Sequence, residues 1–337
     1  MNTEASVPSR SLGRSILRSV SRSFYISVAL LPKKLRDPVA LAYLLARASD
    51  TIADTAEIQS ELRLEKLRSL ARVIQAPEER DAVADVVASF APLQKDSAER
   101  RPIESLPGCF GWLERMDPED RVEIQTVLEK INRGQLQDLE RFHDRTQVVA
   151  LEKSVELDDY TYLVAGSAGE FWTRLCFARL KRFSKRTEVE MLELGKNYGM
   201  GLQLINILRD AGRDLQAGRC YFPEEELAAA RLEPRQILRE SQRFQPIYRA
   251  WRTKAEAGIR AGVDYALSVR NRRVRIATVL PALIGARTLA LVRDAGATAL
   301  HRQMKVPRKE VRSIIRRLIT TLGSRSQIEA MFRELGR

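Results

Sequence analysis

Apolar residues recur every three or four positions along nearly all of this 337-residue chain. In "LAYLLARASDTIADT" (41–55), Leu41, Leu44, Leu45, Ala48 and Ile52 fall on one side of a 3.6-residue repeat, as a single buried helix face requires. "DRVEIQTVLEKINRGQLQDLERF", "VEMLELGKNYGMGLQLINILRDAGRDL" and "RKEVRSIIRRLITTLG" keep the same period. Clear strand alternation bounded by turn residues is missing. Pro32, Pro38, Pro77, Pro102, Pro107, Pro118, Pro223, Pro234 and Pro307 mark helix starts or loops. The pattern predicts an all-α protein, one domain over 1–337, with roughly ten or more helices. The most hydrophobic window, "IATVLPALIGARTLALV" (276–292), is interrupted by Pro281 and Arg287, too early for a normal membrane span.

Charge changes this picture at the two ends only. Residues 1–36 carry seven Lys/Arg against Glu4, and 301–337 carry ten against three acids, which together account for the whole net charge of +13. A neutral body with basic ends suits peripheral contact with an anionic membrane surface, and equally nucleic acid. The polar N-terminus has no continuous apolar core of the secretory kind, so a cytoplasmic chain, soluble or peripheral on the membrane, is expected. Cys109, Cys176 and Cys220 lie far apart without a CxxC spacing, and only His143 and His301 are present. A zinc site, a disulfide framework and a histidine-based triad are therefore poor fits, and any metal would have to be held by oxygen.

Two carboxylate pairs supply that oxygen. Asp50 and Asp54 stand at i, i+4, so on a helix both emerge from one face, where like charges repel and need an offset. "NILRDAGRDLQAGRCYFP" (206–223) repeats the arrangement with Asp210 and Asp214, and Gln203 and Asn206 continue the polar stripe upstream. Two such stripes facing each other would make a cavity of four carboxylates, a donor set suited to Mg²⁺ with its waters and substrate phosphate oxygens. Arg47 precedes Asp50 by three residues, and Arg209, Arg213 and Arg219 surround the second pair. Guanidinium groups take phosphate in bidentate fashion, so carboxylates and arginines together imply a diphosphate substrate. A nucleic-acid-binding scaffold would have no use for the matched aspartates.

"SRSFYISVALLPKKLRDPVALAYLLARASDTIADT" (21–55), "DDYTYLVAGSAGEFWTRL" (158–175) and "YGMGLQLINILRDAGRDLQAGRCYFPEEEL" (198–227) resemble, in order and spacing, the blocks of the squalene/phytoene synthase family. The likeness runs from about residue 10 to 295, leaving a basic helical segment over about 300–337. It implies an isoprenoid-synthase-type helical bundle around a central apolar cavity. It also implies Mg²⁺ on Asp50, Asp54, Asp210 and Asp214, holding two prenyl diphosphates. Ser21, Arg22 and Phe24 of the entry block, Arg47, Gln203, Asn206 and Arg219 would contact substrate, with Arg209 and Arg213 beside them. Tyr43, and Tyr160 or Tyr162, would serve ionisation and rearrangement. Position 53, an acid in many relatives, is Ala53 here, which leaves the first motif two carboxylates. The resemblance points to head-to-head joining of two farnesyl diphosphates to presqualene diphosphate and then squalene, with NADPH for the reductive step. Phytoene, dehydrosqualene or hydroxysqualene as product, and a monomer or a homodimer, all remain compatible with it.

Overall fold

A computed structural model of the chain describes residues 22–55, 57–76, 81–144 and 146–337, with side chains from Tyr25 onward. These residues gather into two compact units that divide after Glu140. The first unit holds α1 (Arg22–Leu30), α2 (Lys33–Asp54), α3 (Ser60–Gln75), α4 (Asp81–Phe90), α5 (Ser97–Glu104), α6 (Leu106–Glu114) and most of α7 (Pro118–Arg141). The period read from the sequence is the one buried: Leu41, Leu44, Leu45, Ala48 and Ile52 of α2 are all sealed from solvent. Each of the leucines and the isoleucine stabilises the fold by roughly 1.5–3 kcal/mol. α2 packs on α3, α5 and α6.

The second unit comprises α8 (Ser154–Thr161), α9 (Ser167–Arg179), α10 (Glu188–Gln216), α11 (Glu224–Ala229), α12 (Ser241–Ser268), α13 (Arg272–Ala295), α14 (Arg308–Thr320) and α15 (Arg325–Leu335). α10 is its spine, packed against α9, α12 and α13. Its N-terminus is fixed by a reciprocal capping box, in which Thr187 accepts from the Glu190 N–H and Glu190 reaches back. α9 approaches α10 so closely that a Cβ on Gly169 would stand 1.9 Å from the Gly195 carbonyl oxygen. Part of the small-residue run "VAGSAG" is thus spent on helix contact. The apolar window 276–292 lies in α13, a helix long and apolar enough to cross a membrane by length and composition; 78% of its most apolar stretch is buried within the protein. Arg275, buried near the start of α13, donates to the carbonyls of Val269 and Gly323, and Arg325 of α15 also donates to Val269. Both arginines thereby cap the negative end of α12.

Two of the local features that interrupt the α-helices bear on the site. Val149–Ala150 (β1) and Arg219–Cys220 (β2) pair as a two-residue parallel ladder. Between α8 and α9, Tyr162–Gly166 winds as one π turn, closed by the Ser167 N–H on the Tyr162 carbonyl. A π turn inserts a residue into the helical count and commonly marks a functional position.

Candidate active site

Asp50 and Asp54 occupy the last turns of α2, and Asp210 and Asp214 the last turns of α10. Each pair therefore sits at the negative end of a long helix, where the backbone dipole adds to the carboxylate charge. In the first unit the offset comes from several groups. Arg47 pairs with Glu99 and lies 3.8 Å from Asp50. Glu99 in turn accepts from the Thr51 hydroxyl at 2.8 Å. Gln135 of α7, 85 residues along the chain, donates its amide to Asp50. Arg63 of α3 donates to the Ala53 carbonyl at 2.7 Å, placing a cation at the end of the helix.

These offsets are incomplete. Burial first, and then the charge of Asp54, push the Asp50 carboxyl up to about 7, against the pull of Arg47 and the Gln135 amide. An acid whose folded-state pKa exceeds its unfolded value of 3.8 binds more protons folded than unfolded, so its contribution to stability falls as pH rises from about 4 to about 7. The side chain keeps 46% exposure, so water tempers the effect. Asp50→Asn is accordingly expected to raise the Tm of chelator-treated protein at pH 8 and to leave it unchanged near pH 4. Thermal denaturation at both pH values checks this; equal shifts at the two would remove the titration from the account.

In the second unit Asp210 and Asp214 are both buried. Arg209 grips Asp210 with two hydrogen bonds, at 3.2 and 2.5 Å, and Arg213 approaches to 3.5 Å. Arg219, held by the β1–β2 ladder, donates to Asp214 at 2.9 Å. Burial raises the Asp214 pKa, with Asp210 adding to the rise and Arg219 and Arg213 opposing it. Gln203 accepts from Asn206 at 3.2 Å one to two turns upstream, with Asn206 exposed. Next to Arg219 and Cys220, Tyr221 stacks on Tyr160 (5.2 Å between ring centroids) and meets Phe142 edge-on. Tyr162, the first residue of the π turn, donates to Glu170 at 3.2 Å.

Among the described residues no group of three or more His, Cys, Asp or Glu side chains converges on a metal position. Each unit offers a pair of carboxylates. Pairs fit Mg²⁺, which is commonly held by one or two carboxylates with waters and substrate phosphates completing the octahedron. The buried Oε1 of Gln135, without a partner among the described residues, is a second sign of a polar guest beside Asp50, since a metal's water can donate to it. A groove of about 460 Å³ in the first unit, lined by Arg72, Gln75, Asn132 and Arg133 among others, touches none of the aspartates.

Of the residues singled out in the sequence, Ser21 lies outside the described residues, as do the side chains of Arg22 and Phe24. Tyr43 is half-buried on α2, two turns before Asp50. Arg47, read as a phosphate contact, is engaged with Glu99 and Asp50. Glu99, Gln135, Arg63, Glu170 and Tyr221 were not legible as site residues. Only Gln135 left a signal, an amide among the apolar positions Leu128, Ile131 and Leu139 of "VLEKINRGQLQDL".

Comparison with known proteins sets these features in a family. The squalene/phytoene synthase family model matches residues 17–310. Squalene synthase ERG9 of Saccharomyces cerevisiae is 30% identical over 213 residues, which are 62% of this chain and 44% of that protein. Squalene synthase LSS of Botryococcus braunii is 26% identical over 213 residues, 62% and 42% of the two chains. The chain thus spans less than half the length of these curated relatives. Among solved structures, a TcSQS complex with the ligand BPH1237 superposes with TM-score 0.74 at 20% identity, covering 98% of each chain. A dehydrosqualene synthase in complex with ligand gives 0.63 at 21% identity, covering 93% of this chain and 96% of the other. These likenesses establish the all-α fold of that class. With the family model spanning most of its length, the chain belongs to the squalene/phytoene synthase family, a family of prenyltransferases.

Proposed function

We propose that the protein joins two farnesyl diphosphates head to head, giving presqualene diphosphate and then squalene. The carrying observation is the pair of i, i+4 aspartates at the negative ends of two long helices, each set among arginines. This reading takes 1–337 as one domain. Mg²⁺ held by Asp50, Asp54, Asp210 and Asp214 would neutralise the leaving diphosphate and so favour ionisation of the allylic C–O bond. Arg209, Arg213 and Arg219 hold the second aspartate pair in place, and guanidinium groups so placed are suited to take phosphate oxygens as well. Gln135 fixes one rotamer of Asp50. Glu99 orients Arg47 and Thr51 on the same helix face. The Tyr162 phenol is aimed by Glu170, and the Tyr160 ring is steadied by Tyr221, so each presents a fixed face to a prenyl cation. A double bond of the second chain then attacks the cation, and loss of a proton from the resulting cation closes the cyclopropane to give the cyclopropylcarbinyl diphosphate, the first diphosphate having left. Its reductive opening, with loss of the second diphosphate, needs a hydride donor.

Squalene is preferred because the two curated relatives named above are squalene synthases. Cys109, Cys176 and Cys220 are free and buried, and we assign a reducing, cytoplasmic location. The deciding experiment is product analysis by mass spectrometry with farnesyl or geranylgeranyl diphosphate, with and without Mg²⁺ and NADPH. A C30 hydrocarbon that needs both Mg²⁺ and NADPH is expected. A C30 or C40 polyene formed without NADPH would move the protein to the dehydrosqualene or phytoene branch, and a C30 alcohol or diphosphate to the non-reductive one. No C30 or C40 product under any condition would end the synthase reading.

A further inference from the structure

The basic C-terminal segment takes no part in the site above, and its structure says more than its net charge. α14 buries Ile314 and Leu318 against the rest of the second unit. At 3.6 residues per turn, Arg308, Lys309, Arg312, Arg316 and Ile319 lie on the opposite side of that helix, and all five are exposed. None of the four cations forms an ion pair among the described residues. Acids are at hand on the flanks, where Glu310 takes Arg287 and Glu334 takes Arg317, each at 2.8 Å. Elsewhere in the unit Arg235, Arg243 and Arg260 each hold an acid as well. Arg308, Arg312 and Arg316 stand four apart, a spacing at which like charges repel and weaken a helix unless an anion lies over them.

Exposed apolar side chains stand at the C-terminal end of the same helix and just beyond it. Ile319 and Leu322 are two of the seven large hydrophobic residues exposed among the described residues. Leu322 is held at φ 51°, a left-handed conformation in which its Cβ is crowded and where glycine or asparagine is usual. Leu322 is 58% exposed, so an apolar phase would bury a large side chain that water now surrounds.

We propose that this face of α14, with Leu322, docks on an anionic lipid bilayer surface, the cations meeting lipid phosphates and the two aliphatic side chains entering the acyl boundary. Nucleic acid would match the charge but not the exposed Ile319 and Leu322. The proposal stands apart from the chemistry at the aspartates.

Flotation of the full chain with vesicles tests it, using phosphatidylcholine alone or mixed with phosphatidylglycerol. Binding is expected only with the anionic lipid and should weaken as salt rises. The combined variant Arg308→Gln, Lys309→Gln, Arg312→Gln, Arg316→Gln should lose at least about tenfold in vesicle affinity, since each cation near such a surface contributes roughly fivefold. Leu322→Gly keeps every charge and relieves the left-handed leucine; it should raise Tm and still bind anionic vesicles severalfold more weakly. Equal binding to neutral vesicles, or full affinity in the four-residue variant, would overturn the proposal. Tighter binding to a short DNA duplex than to anionic vesicles would do the same. Prenyl transfer is assayed separately in detergent, so failure there and failure here are told apart.

Discussion

Asp210→Asn is expected to cut turnover by about a thousandfold, roughly 4 kcal/mol of lost transition-state stabilisation at 1.36 kcal/mol per decade. The substitution keeps the shape of the side chain and one of the two acceptors that Arg209 holds, but removes one of the two carboxylates at the end of α10. Arg209 and Arg213, which now face Asp210, would then place uncompensated positive charge where a divalent cation is to sit. Stability should move little, because losing the ion pair with Arg209 is offset by ending the repulsion that Asp210 exerts on Asp214. Asp54→Asn is the cleaner companion. Asp54 is exposed at the end of α2, so a comparable loss of activity there would have no folding explanation. Steady-state kinetics of C30 formation, with circular dichroism and Tm as controls, make the measurement. Activity within tenfold of the wild type in either variant would contradict the role assigned to the aspartates.

The second large effect is expected at Gly212, between the two aspartates of α10. A Cβ there would stand 1.7 Å from the carbonyl oxygen of Leu300 and 2.7 Å from its carbonyl carbon. Both neighbours are backbone, so no side chain can swing aside, and either α10 or the Gly296–Leu300 turn must move. Overpacking of this kind costs about 2–4 kcal/mol, at or above the usual range for small-to-large changes in a packed interior. For a unit of this size that corresponds to a fall in Tm of roughly 5–10 °C. Gly212→Ala should also lose activity at temperatures where it remains folded, because the displaced segment carries Asp210 and Asp214. Calorimetry together with kinetics tests this; an unchanged Tm would mean that α10 and Leu300 are not in backbone contact.

Helical class and the two carboxylate pairs were readable because both depend on spacing along one element. The 3.6-residue repeat of Leu41, Leu44, Leu45, Ala48 and Ile52 is the face that is buried, and i, i+4 placement suffices to put Asp50 beside Asp54. The π turn escaped because "YLVAG" has ordinary helix-forming character. Its extra residue reflects how α8 and α9 must meet α10, a demand that no local pattern records. Likewise the two-residue strand pairing that steadies Arg219 joins residues seventy apart, too short a ladder to leave an alternation.

What the sequence determined by itself was therefore the kind of element, the charge at its ends and the spacing of the carboxylates proposed to hold a cation and a diphosphate. Tertiary structure decided which groups surround them. Gln135 reaches Asp50 across 85 residues, and Glu99 reaches Arg47 across 52. The reason is physical: helix period and like-charge spacing are set by bonds within a few residues, while the partner of a buried carboxylate is set by which distant helix packs over it.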